Sequence, residues 1–161
     1  MSRTGIYITL AGCPILWKSK LQTEIALSTT EAEYIALSTA MRDIIPMKRV
    51  LKDICENMGF DKFDSSLKCT VFEDNNGCIE LAKSPKMRPR TKHIALKYHF
   101  FRDQIITETN PEGEVTILKV DTLFQVADIL TKSFARPAFQ RLKNLMGIQT
   151  ANNVASILKK N

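Results

Sequence analysis

The chain has 161 residues, of which 44% are hydrophobic and 25% are charged, a composition typical of one globular domain with a buried core. Its net charge of +6 favours polyanionic partners, although charge alone is weak evidence for them. No apolar run approaches the ~20 residues of a membrane span, and the four cysteines lack the Cys-x-x-Cys spacing of a zinc knuckle. Scattered cysteines of this kind indicate small core residues in a reducing, intracellular compartment.

The first predicted element is a hairpin. Residues 6–10 and 15–17 are β-prone runs, and the small residues at 11–12 form a turn-like break between them. Trp17 is expected to be a core residue of this hairpin.

A long helix is predicted next. Apolar residues recur every three or four positions over residues 28–58, as expected for a helix with one buried stripe. Pro46 lies inside this stretch and lacks an amide hydrogen, so we expect a kink or a break there. Gly59 marks the end of the helix. Its beginning is marked by two overlapping capping boxes, Ser28 with Glu31 and Thr30 with Glu33.

The second half of the chain alternates helices and strands. A strand is predicted over residues 67–72, followed by a short helix after Asn76 rather than a hairpin at Asn76-Gly77, and by a basic loop over 84–91. A helix over 93–106 and a strand over 114–120 come next. The last two predicted elements are a helix over 122–134, with Thr122 and Gln125 as its capping box, and a helix from Pro137 to Gly147. This order predicts an α/β fold with a mixed sheet and helices on its faces, within a domain of residues 1–149. Residues 150–161 are expected to be a frayed tail.

Three acidic motifs provide candidate metal ligands. Glu33 lies in Thr-Glu-Ala-Glu-Tyr, Asp74 in Phe-Glu-Asp-Asn-Asn, and Asp128 in Val-Ala-Asp-Ile-Leu-Thr-Lys. Hydrolysis of a phosphodiester by two metal ions needs hard oxygen ligands, which carboxylates from separate elements supply when they converge. Each acid also has a structural explanation, since Glu33 fits a capping box, Asp74 a turn, and Asp128 an ion pair with Lys132.

Basic residues cluster after the second acidic motif. Residues 75–102 carry seven lysines or arginines against one acid, Glu80, and such a cluster is suited to phosphate contacts or to a solvated loop. His93 fits a phosphate donor or a helix cap equally well. The candidate nucleic-acid-binding residues are Lys18, Lys20, Asn75, Lys86, Arg88, Arg90, Lys92, His93 and Gln125. No nucleophilic triad and no glycine-rich phosphate loop occurs in the sequence.

These motifs resemble the ribonuclease H domain at the end of the Pol polyprotein of copia-type LTR retrotransposons. The resemblance extends over residues 3–148 and includes Trp17-Lys18-Ser19-Lys20 and the segment Arg-Thr-Lys-His-Ile at 90–94. It implies a ribonuclease H-like mixed sheet flanked by helices, and Mg²⁺ or Mn²⁺ held by the catalytic acids Glu33, Asp74 and Asp128. Glu33 is preferred to Glu31, and Asp74 to Glu73, because they match the family motifs.

The resemblance also implies a function and partners. It implies cleavage of RNA in an RNA/DNA hybrid during reverse transcription, with the reverse transcriptase part of Pol upstream and a cytoplasmic location within virus-like particles. Gln125 matches a polar residue near the substrate or the metal, although it also fits a capping role.

One element of the family pattern is missing. The sheet order of the family is 3-2-1-4-5, and its central first strand, with the first catalytic Asp, precedes a Ser-Thr-Ser-Gly segment that Ser2-Arg3-Thr4-Gly5 matches. We therefore expect a sheet without its centre, two exposed strand edges and an inactive isolated chain. The alternatives are a non-catalytic remnant that binds nucleic acid and an unrelated α/β interaction domain.

Overall fold

The computed structural model describes residues 1–59, 67–84, 94 and 96–148. The predicted tail at 150–161 lies outside them, as does most of the predicted basic loop. The candidate nucleic-acid contacts that also lie outside the described residues are Lys86, Arg88, Arg90, Lys92 and His93.

The predicted hairpin is confirmed. Strands β1 (Arg3–Leu10) and β2 (Cys13–Leu21) pair antiparallel, and Ala11 and Gly12 between them have φ angles of 50° and 80°. Two consecutive positive φ angles match the right-handed twist of the flanking strands in a tight turn. The core assignment of Trp17 is wrong, because Trp17 is 64% exposed on β2, the outer strand of the pair.

Helix α1 (Thr29–Asn57) is also confirmed. Ser28 Oγ accepts the amide of Glu31 at 3.1 Å, and the carboxylate of Glu31 accepts the amide of Leu27 at 2.7 Å, so the start is capped on both sides. The helix runs through Pro46 without a break. Pro46 has no amide hydrogen to donate to the Arg42 carbonyl. Both residues lie on the exposed face of the helix, so water can donate a hydrogen bond to that carbonyl instead.

The second sheet is a parallel pair. Strands β3 (Cys69–Glu73) and β4 (Val115–Lys119) run side by side, and helix α2 (Asn76–Lys83) begins the crossover between them. Asn75 Oδ1 accepts the amide of Cys78 at 3.1 Å. This cap explains why the chain continues as a helix rather than as a hairpin.

Two predicted helices are wrong. Over residues 93–106 the described part contains two 3-10 turns, Leu96–Tyr98 and Arg102–Gln104. This stretch is rich in aromatic residues, which have low helix propensity. The predicted inward side was nevertheless right, since the residues proposed for it are all buried: Ile94, Tyr98, Phe101 and Ile105.

The helix predicted over residues 122–134 is instead a pair of 3-10 turns, Thr122–Phe124 and Val126–Leu130. Asp121, not Thr122, caps this segment by accepting the amide of Leu123 at 2.8 Å. The Gln125 side chain donates to the Phe72 carbonyl at 3.1 Å, so it is unable to complete a capping box. Helix α3 (Arg136–Leu145) follows as predicted, and Gly147 ends it with a φ of 74°.

The fold is a mixed α/β arrangement in which the two strand pairs of the described residues are not hydrogen-bonded to each other. A cavity of about 650 Å³ separates them, lined on one side by β1 and on the other by β3. Small and apolar residues of α1, including Ala36, Ala40 and Ile44, form its floor, and Val126 with Ala127 lies on another side. Each facing strand is paired on one side only within the described residues. The gap therefore has the form of a sheet that lacks one central strand.

None of the helices in the described part of the chain is long and apolar enough to cross a membrane. The four cysteines are all free thiols, and Cys78 is fully buried.

Gly5 brings β1 close to the second 3-10 turn. A Cβ atom at this position would lie 2.5 Å from the Ala127 carbonyl oxygen and 2.6 Å from a Thr131 methyl carbon. We expect Gly5→Ala to lower the free energy of unfolding by about 1–3 kcal/mol, because overpacking forces backbone shifts. Gly12→Asn is the control, since nothing lies within 4 Å of that site and Asn tolerates a positive φ. Equal urea midpoints for wild type and Gly5→Ala would contradict this packing.

Candidate metal centre

Three carboxylates from two separate elements converge at one end of the gap between the sheets. Glu33 lies near the start of α1, Glu73 is the last residue of β3, and Asp74 follows directly. One ligand oxygen from each lies within 4.8 Å of the other two. Glu73 also lines the cavity between the strand pairs, so the acids lie where the gap ends.

Glu33 is half-buried and has one carboxylate oxygen without a hydrogen-bond partner in the described part of the chain. Its Oε2 is buried and has no hydrogen-bond partner among the described residues. Burial raises the pKa of Glu33, and the charges of Asp74 and Asp128 raise it further, while the Asn75 side chain and Lys132 oppose the shift. A buried carboxylate without a compensating donor is costly, so this oxygen is suited to a cation.

Glu73 is the buried acid of the three. Burial raises its pKa to about 7, the charges of Glu33 and Asp74 add to the shift, and the Asn75 amide, 3.1 Å from Oε1, opposes it. The motif comparison favoured Asp74 over Glu73. The alternation of inward and outward residues along the strand could have identified Glu73, because Glu73 shares the inward face of β3 with Cys69 and Val71.

Asp128 lies near this cluster but is not part of the convergent trio. It belongs to the second 3-10 turn, and its Oδ2 lies 2.6 Å from Lys132 Nζ, the i+4 pair that the sequence offered as its structural explanation. Its charge still raises the pKa of Glu33. The close approach at Gly5 and the Gln125 bond to the Phe72 carbonyl hold this segment against β1 and β3.

The remaining candidates have defined positions. Glu31 caps α1, and Asn75 links α2 to α1 by donating from Nδ2 to Thr30 Oγ1 at 3.3 Å. Lys18 pairs with Asp43 at 2.7 Å, and Lys20 is exposed on β2. Thus Asn75 and Gln125 lie beside the acids and have structural contacts, whereas Lys18 and Lys20 lie on the hairpin.

The acids fit a hard divalent cation. Mg²⁺ prefers oxygen ligands and is commonly held by one or two carboxylates while it keeps several waters. Glu33 Oε2 supplies an unpaired oxygen, and Asp74 and Glu73 lie within reach of the same point. When bound, such an ion would polarise a phosphate oxygen and lower the pKa of a bound water.

The raised pKa of Glu73 predicts a pH-dependent stability. Between pH 4.5 and 7 the unfolded chain releases this proton and the folded chain retains it, so the unfolding free energy falls as pH rises. Glu73→Gln avoids this loss and should be more stable than wild type by about 3 kcal/mol at pH 8, but not near pH 4.5. Urea unfolding at both pH values tests this, with the exposed Glu108→Gln as control. A difference independent of pH would contradict the burial of a titrating Glu73.

The chain is similar in sequence to retrovirus-related Pol polyproteins of transposons. It is 36% identical over 149 residues to the retrovirus-related Pol polyprotein from transposon TNT 1-94 of Nicotiana tabacum. Its homologues are retrovirus-related Pol polyproteins. Those of transposons RE2 and RE1 of Arabidopsis thaliana are 34% and 32% identical over 148 residues.

In all three comparisons the match covers 92% of this chain but only 9–10% of the relative, so the chain spans about a tenth of the length of the curated relatives it matches. No family model matches the chain, and no solved structure matches it.

Proposed function

We propose that this chain is the ribonuclease H-like part of a copia-type Pol polyprotein. Its reaction would be metal-dependent hydrolysis of RNA in an RNA/DNA hybrid, with Mg²⁺ as the cofactor and Mn²⁺ as a substitute. The observation that carries this proposal is the convergence of Glu33, Glu73 and Asp74, with a buried, unpaired carboxylate oxygen among them. The similarity to Pol polyproteins supports the retroelement context.

The residues of this chain have separate roles in the proposed site. Glu33 and Asp74 would hold a cation by one oxygen each, while Asn75 keeps their elements together through Thr30. Asp128, already paired with Lys132, would complete the acid set when the cation replaces the ammonium. Gln125 would position the Asp128 segment through its bond to the Phe72 carbonyl.

The gap between the strand pairs explains why the isolated chain would be inactive. Its acid end includes Glu73, so a strand that fills the gap would have one terminus beside the trio. Two-metal hydrolysis needs carboxylates on both ions, and the first catalytic Asp that the resemblance implies on the missing strand would be absent as their shared ligand. In the intact Pol protein the preceding reverse transcriptase part would supply this strand, and the reaction would take place in the cytoplasm within virus-like particles.

Binding of Mn²⁺ to the purified chain tests the metal site separately from catalysis. We expect the electron paramagnetic resonance signal of free Mn²⁺ to fall on addition of wild-type chain, and Asp74→Asn to weaken this binding by at least about tenfold. Asp53→Asn, an exposed acid of α1, is the matched control and should bind like wild type. If Asp74→Asn and Glu73→Gln both bind Mn²⁺ as tightly as Asp53→Asn does, the acids are structural and the metal proposal is wrong.

A further inference from the structure

A second polar cavity lies at the far end of α2 from the acids. It has a volume of about 450 Å³ and is lined by Lys83, Ser84, His99, Arg102, Asp103 and Asn110, with Ala82, Thr107 and Thr109. Its size is within the range of small-ligand sites. Helix α2 has eight residues and is about 12 Å long, and it separates the cavity from the acids. At ~3.4 Å per nucleotide of one strand, this length corresponds to roughly three to four nucleotide steps along a duplex.

His99 and Arg102 are held in this cavity by the fully buried Tyr34. Arg102 Nε donates to Tyr34 Oη at 2.9 Å, and Tyr34 Oη lies 2.8 Å from His99 Nδ1. The hydroxyl oxygen accepts from Arg102 and its hydrogen can bond Nδ1, and in that arrangement the His99 proton lies on Nε2. Burial and the charge of Arg102 lower the pKa of His99, so the ring is a neutral donor near pH 7.

Both donors lack acceptors. His99 Nε2 and Arg102 Nη2 are buried and have no hydrogen-bond partner among the described residues. A backbone hydrogen bond of Ile94 partly offsets the lowering of the pKa of His99. Arg102 also has no carboxylate partner within the described part of the chain. A guanidinium nitrogen that is shielded from water and lacks an acceptor is costly, and an anion would remove that cost.

We propose that this cavity binds a phosphate group of a nucleic acid strand. Arg102 and Lys83 provide the positive charge against one carboxylate, Asp103, and His99 Nε2 provides a neutral donor. Lys83 also offsets the negative end of α2. Guanidinium and ammonium groups together suit the several acceptor oxygens of a phosphate.

Histidine resonances report directly on phosphate binding, because the chain contains only two histidines, His93 and His99. The full chain with ¹⁵N-labelled histidine is titrated with inorganic phosphate at constant pH and ionic strength, and His93→Gln assigns the signals. We expect a saturable shift of the His99 Nε2 signal. We also expect Lys83→Gln and Arg102→Gln each to weaken phosphate binding by at least about tenfold. Lys143→Gln, a half-buried lysine on α3 outside the cavity lining, is the control and should change nothing.

Lys83 is exposed, so its variant is expected to fold even if Arg102→Gln does not. An unmoved His99 signal, or phosphate binding by Lys83→Gln equal to that of Lys143→Gln, would overturn the site. A second arm uses a metal-free RNA/DNA hybrid, for which Lys83→Gln should lower the salt slope of binding by about one. Only this hybrid arm rests on the proposed function. Phosphate binding without an effect on the hybrid would overturn the nucleic-acid assignment while leaving the metal proposal untouched.

Discussion

Joining one apolar β-strand ahead of Ser2 is expected to raise the melting temperature of the chain by about 10 °C. The cavity between the sheets is bordered by two strands that are each paired on one side only, and its floor on α1 is small and apolar at Ala36 and Ala40. A strand placed there buries side chains on both faces, and two large apolar side chains contribute about 4 kcal/mol. In a domain of this size each kcal/mol raises the melting temperature by about 2–4 °C.

The control for this prediction is an extension of equal length and similar hydrophobicity with proline at alternate positions. Proline has no amide hydrogen to donate to a neighbouring strand, so this version is unable to complete a sheet. Circular dichroism melting of both extended chains and of the original chain measures the effect. The explanation of the cavity as a vacant strand position is wrong if the proline version stabilises the chain as much as the regular strand.

Asp74→Asn is expected to lower hybrid cleavage by the strand-extended chain by more than about 100-fold. Even partners in the second coordination sphere of a metal cost 10–100-fold when they are removed, and Asp74 is proposed to contact the ion itself. Asn keeps the size and one oxygen of Asp but removes the charge, so the fold should survive. Initial rates of cleavage under saturating Mg²⁺ measure the loss, and Asp53→Asn serves as the matched variant at an exposed position of α1.

Glu73→Gln separates the two acids that follow each other at the end of β3. The site geometry includes Glu73 in the trio, whereas the sequence motif pointed to Asp74. If Asp74→Asn cleaves as fast as Asp53→Asn while Glu73→Gln is inactive, Asp74 is not the ligand and Glu73 takes its place.

The sequence predicted those elements whose signals are local. The turn at Ala11-Gly12, the Ser28 cap, the short helix after Asn76 and the Gly147 stop are each fixed by a few neighbouring residues. The inward side of residues 94–105 was also predictable, because burial follows spacing even where the backbone is not helical.

The errors arose where distant contacts outweigh local preference. In the segment after Asp121, the Gln125 bond to Phe72 and the close approach of Gly5 to Ala127 favour tight 3-10 turns over a regular helix. Likewise, His99 and Arg102 are fixed by Tyr34, more than sixty residues earlier in the chain. The spacing of apolar residues along the sequence does not indicate such contacts between distant residues.

The candidate site was partly predictable for the same reason. Motif identity selected Glu33 and Asp74, which lie together at the end of the gap, but the inclusion of Glu73 depends on how deeply the end of β3 is buried. Asp128 was selected by its motif, and its pairing with Lys132 follows from their i+4 spacing.

The measurement that tests the central claim most directly is cleavage of a labelled RNA/DNA hybrid by the strand-extended chain. The extension carries an aspartate at the position facing Glu33 and Glu73, and reactions contain either Mg²⁺ or excess chelator. Cleavage of the RNA strand that requires Mg²⁺, with none by the original chain, is the predicted result. If the extended chain is folded and binds the hybrid but leaves the RNA intact in Mg²⁺ and in Mn²⁺, the ribonuclease H proposal is wrong.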